Sequence, residues 1–230
     1  MKAIVVRSTD KRPLLVWEEI PDIRLRPEEV LVDIKATAVN RADLLQAMGL
    51  YPPPPGESEI LGLEMAGVVS AMGDQVKGRM IGERVIGLLA GGGYAQQAAV
   101  HPEMLLHLPD SWSFAQGAAI PEVWLTAFSN LFMEIGLLGG STAEINLGTV
   151  LGKSLRIIGS RLRSRPLEQK IEITRRFADR FWPMFAAGRL QPVIDTVYPI
   201  QEVGAAHDYV RENKNTGKVI LEVDPSAQSN

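Results

Sequence analysis

The chain contains no cysteine, which excludes disulfide cross-links, thiolate metal sites and a cysteine nucleophile, and accords with a reducing compartment. It has no excess of charge of one sign either: 24 basic and 27 acidic residues leave a formal net charge of −3. With 46% apolar and 22% charged residues, this composition excludes a disordered tail and a polybasic nucleic-acid binder. No apolar run is long enough to span a bilayer, because the longest candidate, residues 123–138, is interrupted by Ser129, Asn130 and Glu134. The three histidines, His101, His107 and His207, are scattered without ligand spacing and read as surface or packing residues, so no metal site is expected. The first residues run straight into the charged 7–12 stretch, which predicts no secretory leader. The expectation for these 230 residues is therefore a cytoplasmic globular protein large enough for a full core, without nucleic-acid or membrane partners.

The first third of the chain reads as strands and turns. Val30, Val32, Ile34, Ala36 and Ala38 alternate with Asp33, Lys35 and Thr37, the period of two that a half-buried strand requires. Shorter apolar runs at residues 2–6, 14–17, 66–70, 84–89 and 94–100 are separated by glycine and proline clusters, which predicts a barrel or sandwich. Asn40 stands where it can cap a short helix through residues 44–48, and the proline run after Tyr51 predicts a stiff, extended loop.

From residue 111 the pattern becomes helical. Ser113 and Gln116 form a capping-box signal, and Pro121 divides the next apolar stretch into a short helix and a longer one over 123–135. A further helix is predicted with Ser164 as its cap. Leu167, Ile171, Thr174, Phe177, Phe181 and Phe185 lie on one stripe, opposite a solvated face of Glu168, Lys170, Arg175, Arg176 and Asp179, and Gly188 closes the helix. A short helix over 202–213, a strand over 218–223 and a frayed tail over 224–230 complete the reading.

Four strings occur in an order and spacing that carry a resemblance: Asn40-Arg41-Ala42-Asp43, Tyr51 with its proline loop, ILGLEMAG at 60–67 and IPEVWLTAF at 120–128. Together they resemble the zinc-free quinone oxidoreductases of the medium-chain dehydrogenase/reductase superfamily, most of all the tumour-protein-induced subgroup. The similarity resumes at 139–165 and continues through NKNTGKVIL at 213–221. The resemblance implies an α+β, mainly β fold: a GroES-like distorted β-barrel catalytic domain with packed helices. In zinc-dependent members of the superfamily, the positions of Asn40 and Leu63 hold a cysteine and a histidine that bind the metal; an amide and an alkyl group cannot replace them.

A nicotinamide-dependent member should follow the 123–135 helix with a strand, a glycine-rich turn and a helix that bind the pyrophosphate. Here the chain passes from Gly136 directly into Leu137-Leu138-Gly139-Gly140, and Gly91-Gly92-Gly93 lies between strand patterns with no helix after it. The expected organisation is therefore a catalytic domain whose Rossmann domain is deleted near Gly136/Leu137, with residues 1–136 and 137–223 as two parts of one domain. By resemblance, Asn40 and Tyr51 line the nicotinamide and quinone pocket as catalytic residues, and Thr126 and Asn215 approach the cofactor. From the residues alone, Asn40 can equally be a helix cap, Tyr51 a ring packed on prolines and Thr126 a helix-core hydroxyl. Glu64 and Gly62 are read as structural.

The parent family transfers hydride from NADPH to a quinone. This chain is expected to bind no cofactor tightly and to be weakly active or inactive, the alternative being a non-enzymatic, self-associating module. A quinone or related small molecule is the expected ligand, and a homodimer through residues 154–162 the expected assembly, because that segment would be a strand without neighbours.

Overall fold

A computed structural model describes residues 1–8, 12–129, 144–154 and 161–224. The deletion point at 136/137, most of the 154–162 segment, the end of the 123–135 helix and the tail beyond 224 lie outside the described residues.

The architecture follows from one long strand. β3 (Val30–Val39) carries the predicted alternation, with Val30, Val32, Ile34 and Ala36 buried and the residues between them part-exposed. From Ala36 onward every residue is buried, so the alternation ends and both faces are covered. β3 pairs antiparallel with three partners: β4 (Glu64–Met72) from Val30 to Ala36, β6 (Gln97–Val100) at its start and β9 (Lys218–Glu222) at its end. The sheet runs β7-β5-β4-β3-β9-β8, with β5 at Arg84–Leu88, β7 at Leu105–His107 and β8 at Ile194–Pro199; β6 pairs β3 off this path. β1 (Lys2–Ser8) and β2 (Leu14–Glu19) form a separate hairpin that meets the rest through Ala3 and Ala95. The result is the expected α+β, mainly β domain.

The helices cover this sheet. α1 (Arg41–Ala47) leaves the end of β3, and α2 (Phe114–Ala118) opens with the predicted Ser113–Gln116 capping box. α3 (Pro121–Ser129) starts at the proline that separates it from α2. α4 (Leu147–Gly152) buries none of its residues. α5 (Leu167–Ala186) packs through Phe177 and Phe185, whose rings meet Trp124 and Phe128 of α3 edge-on at centroid distances of 4.9–6.0 Å. α6 (Val203–Arg211) connects β8 to β9, which lie parallel, and buries Val203, Ala206, His207 and Val210.

Two local expectations are corrected. The cap of α5 is Pro166, not Ser164: its own backbone is extended at φ −51°, ψ 146°, and a residue preceding proline is driven out of the helical region, so the helix opens only at Leu167. Lys170 does not lie on a solvated face. It is 8% exposed, its stem buried and its ammonium 3.8 Å from Glu57. β7, β8 and α4 were not predicted. β8 is specified by its parallel pairing with β9, a long-range contact that a local pattern does not announce.

Gly62 is fixed by close approach. It sits at φ +100°, and a Cβ there would lie 2.6 Å from the Gly93 Cα and the Tyr94 nitrogen. Gly62→Ala is therefore expected to cost about 3 kcal/mol or more in urea unfolding. Gly204→Ala, in exposed helix with nothing within 4 Å of the added carbon, should instead stabilise by up to about 1 kcal/mol.

Candidate functional site

The end of β3, the start of α1, β4, β9 and α3 converge on the Glu64 carboxyl, which is wholly buried. Its Oε1 accepts hydrogen bonds from the Asn40 Nδ2 at 2.8 Å and the Lys218 Nζ at 2.6 Å, and its Oε2 accepts the Glu122 backbone N–H at 2.8 Å. Lys218 also donates to the Asn40 Oδ1 at 2.7 Å, closing a triangle of amide, ammonium and carboxylate. The Thr37 hydroxyl donates to the Glu64 carbonyl at 2.6 Å, which explains why a polar residue of the β3 alternation is fully buried. A buried carboxylate is costly unless paired and fully hydrogen-bonded, and Glu64 meets both conditions.

Local chain geometry delivers each member. Asn40 is the extended residue preceding α1, and the Asp43 carboxylate reaches back to accept its backbone N–H at 2.8 Å. The turn before Lys218 is tight: Asn213 has φ +55°, Gly217 has φ +122° with its open side facing the Val193 carbonyl, and the Asn215 amide donates to the Gly217 carbonyl at 2.7 Å. Arg41 of α1 donates to the Asn213 side chain and ties this turn to the same helix. At the rim, the Thr126 hydroxyl donates to the Glu122 carboxylate at 3.4 Å, one turn along α3.

The polar chain continues inward. Asp43 accepts from the Gly62 N–H at 3.1 Å and from the Tyr94 hydroxyl at 3.4 Å, and that hydroxyl lies 3.2 Å from the His207 Nε2. Burial drives these groups toward neutrality. It pushes the Asp43 carboxyl up from 3.8 to about 7, with the Glu64 charge adding to it and the Asn40 and Gly62 N–H groups opposing. It pushes His207 down from 6.5 to about 3, helped by Arg211, and raises Tyr94 well above its ordinary value, with Asp43 contributing. Glu122 is raised by burial, and Glu64 adds to the shift. For Lys218 burial acts downward, yet the Glu64, Glu122 and Asp43 carboxylates together hold the ammonium above its usual value.

Of the four sequence-predicted site residues, Asn40 lies in this cluster, Thr126 stands at its rim and Asn215 shapes the turn that delivers Lys218. Tyr51 lies beyond the other end of α1, a helix whose seven residues span roughly 10 Å. There its ring sits under the Arg163 guanidinium, 5.2 Å from the centroid. Asp43, Glu64, Glu122, Tyr94, Arg163 and Lys218 were not singled out as site residues. For Glu64 the signal was present: a carboxylate inside an otherwise apolar strand must have buried partners. Leu63 is buried hydrocarbon, and among the described residues no group of three histidines or carboxylates is placed to hold a metal.

Residues 26–110 match the Alcohol dehydrogenase GroES-like domain. Over these residues the chain carries a GroES-like domain, and its α+β, mainly β fold is shared with solved structures of a quinone oxidoreductase and an alcohol dehydrogenase. The structure is similar to Escherichia coli quinone oxidoreductase complexed with NADPH, with a TM-score of 0.76 and 18% identity over 96% of this chain and 100% of that one. In sequence the chain is 39% identical over 137 residues to the phenolphthiocerol synthesis polyketide synthase type I Pks15/1 of Mycobacterium marinum, covering 59% of this chain and 6% of that protein. It is 32% identical over 118 residues to the mouse synaptic vesicle membrane protein VAT-1 homolog-like, covering 51% of this chain and 28% of that protein. The chain thus spans a small part of the curated relatives it matches. No described helix is long and apolar enough to cross a membrane.

The described residues do not fit the pyrophosphate of a dinucleotide. Their one parallel strand–helix–strand unit, β8-α6-β9, enters α6 through Ile200-Gln201-Glu202, without a glycine-rich turn and with a carboxylate at the helix start, where a phosphate would be repelled.

Asp43 and His207 give opposite pH dependences. Asp43 holds its proton in the folded state up to about pH 7, so its contribution is full below about pH 4 and is lost as pH rises through about 7. His207 is neutral when folded, so its contribution is present above about 6.5 and is lost as pH falls toward 3. Each effect is on the order of 4 kcal/mol, and in the wild type they offset between pH 4 and 6.5. Chemical denaturation of His207→Gln should show stability falling as pH rises over that range, and Asp43→Asn the reverse; parallel profiles for the two variants would refute the assignment.

Proposed function

We propose that this chain is the acceptor-binding catalytic domain of a quinone oxidoreductase, holding a quinone or related carbonyl compound at the Asn40–Lys218 edge of the Glu64 cluster. The parent reaction is reduction of a quinone by NADPH. The observation that carries this reading is hydrogen-bond accounting. Among the described residues, Lys218 gives two of its three N–H donors, to Glu64 and Asn40, and Asn40 gives one of its two, to Glu64. One donor on each remains for a carbonyl oxygen, and the buried carboxylate fixes both side chains in place. The ammonium, kept charged by its carboxylate neighbours, would stabilise negative charge developing on that oxygen. Similarity in fold to a quinone oxidoreductase that binds NADPH supports the same reading.

Because the described residues offer no pyrophosphate cradle, cofactor binding by this chain is weak and no hydride step is assigned to it. A cofactor normally held at about 1 μM that forfeits about 4 kcal/mol binds only near 1 mM. The chain is then weakly active or inactive by itself.

A second reading, a self-associating module, is favoured by α4, whose Leu147 and Leu151 are 75% and 82% exposed beside the segment from which a homodimer is expected. Sedimentation at high concentration tests it: a mass that stays near 25.2 kDa excludes the dimer.

The principal test is ligand titration. 1,4-Naphthoquinone should bind saturably, read by quenching of tryptophan emission, and Asn40→Leu should raise its Kd about tenfold. NADPH should show no saturation below the high micromolar range. A tight, stoichiometric NADPH complex overturns the account of the cofactor side, and absence of saturable quinone binding overturns the account of the acceptor side.

A further inference from the structure

Three buried side chains from separate parts of the chain stand in a row: Asp43 on α1, Tyr94 ahead of β6 and His207 on α6. The Tyr94 hydroxyl bridges them, 3.4 Å from the Asp43 Oδ2 and 3.2 Å from the His207 Nε2, and the two rings meet edge-on at a centroid distance of 5.8 Å. At the far end, the His207 Nδ1 and the Arg211 Nε are buried atoms without a hydrogen-bond partner among the described residues. The two residues lie one turn apart on α6, and Arg211 is part-exposed.

The donor inventory allows this row two arrangements. The Asn40 and Gly62 contacts of Asp43 are N–H donors, so a protonated Asp43 has one acceptor within hydrogen-bond reach, the Tyr94 oxygen. Tyr94 then gives its own proton to the His207 Nε2, and a neutral His207 carries its proton on Nδ1. An ionised Asp43 can only accept. Tyr94 then donates to Asp43, the His207 Nε2–H donates to Tyr94, and Nδ1 is a bare lone pair. Passing from the first arrangement to the second moves the Asp43 proton to the Tyr94 oxygen and the Tyr94 proton to the His207 Nε2, while the Nδ1 proton leaves. One proton is lost in all, and it departs from the end of the row opposite the carboxyl. A carbonyl or an N–H fixed against Nδ1 would lock one arrangement, and among the described residues neither is there.

We infer that Asp43, Tyr94 and His207 form a proton relay that takes up or releases its proton at the His207 Nδ1 and so alternates the charge beneath the Asn40 backbone N–H. The charges that face it are Glu64 of β4, Lys218 of β9 and Arg163 at the Asp43 end, and Arg211 at the His207 end. Among the described residues no other charged side chain on the elements packed against α6, which are α1, β2, β3, β8 and β9, shifts His207. Burial, with Glu64 adding to it, holds the Asp43 proton up to about pH 7, and burial with Arg211 keeps His207 from taking a second proton until about pH 3. The relay therefore switches near neutral pH while His207 stays uncharged.

The tautomer of His207 reports the setting and needs no ligand, so the outcome is independent of the acceptor-site reading. The chain has three histidines, and in protein labelled with nitrogen-15 histidine the His207 signals are assigned by their loss in His207→Gln. Long-range proton–nitrogen correlation spectra separate the two neutral tautomers. His207 should carry its proton on Nδ1 at about pH 5 and on Nε2 at about pH 9. The crossing should fall near 7, and the Asn40 backbone amide proton should shift with the same midpoint. Tyr94→Phe, which removes the bridging hydroxyl, should abolish the crossing and leave His207 neutral. If that variant does not fold, Asp43→Asn serves, with a tautomer that no longer changes with pH. A single His207 tautomer throughout, a doubly charged ring nitrogen pair within that range, a crossing that survives in either variant, or an Asn40 amide that does not follow it overturns the inference.

Discussion

A carboxylate without access to water must be compensated within the protein, and around Glu64 that requirement draws together parts of the chain far apart in sequence. The Asn40 amide comes from the end of β3, the Lys218 ammonium from the start of β9 and the Glu122 N–H from the first turn of α3. Each is an element otherwise placed by backbone pairing or apolar packing. Packing tolerates small shifts. A hydrogen-bonded ion pair in a dry environment does not, because a displaced partner leaves a charge unsatisfied. The cluster therefore reinforces the register of β9 on β3 and the entry of α3.

Away from Glu64 the polar chain changes character. Asp43, Tyr94 and His207 are equally buried but carry no cation among them, and burial drives Asp43 and His207 toward their neutral forms. The interior thus holds one charged knot and one neutral relay, with Asn40 belonging to both: its side chain to the first, its backbone N–H to the second. A single residue preceding a short helix couples the site to the core.

How much of this was legible in the sequence depended on the range of the determinant. The β3 alternation, the Ser113–Gln116 capping box and the division at Pro121 are local, and they stand where the pattern placed them. The cap of α5 was misplaced because a serine near a helix start competes with a proline that is already extended. Lys170 was misplaced because a long aliphatic stem can be buried beneath a charged head. The resemblance led to Asn40, and the structure surrounds it with Glu64 and Lys218, which is separated from it by most of the chain. No periodicity reports such a pairing. The lone carboxylate in the apolar β4 strand did report that a partner must exist, though not which residue it was. Arg163 left no local signal, since its acceptors are main-chain oxygens and one amide.

The central claim is that Glu64 and Lys218 act as one unit, and a double-mutant cycle on unfolding free energy tests it most directly. Lys218→Met alone leaves a buried carboxylate without its cation and is predicted to cost about 3–5 kcal/mol. Adding Glu64→Gln, which removes that charge at nearly constant shape, should restore a large part of the loss, with a coupling of at least about 2 kcal/mol. Additive losses in the two single variants and the double variant would contradict the account.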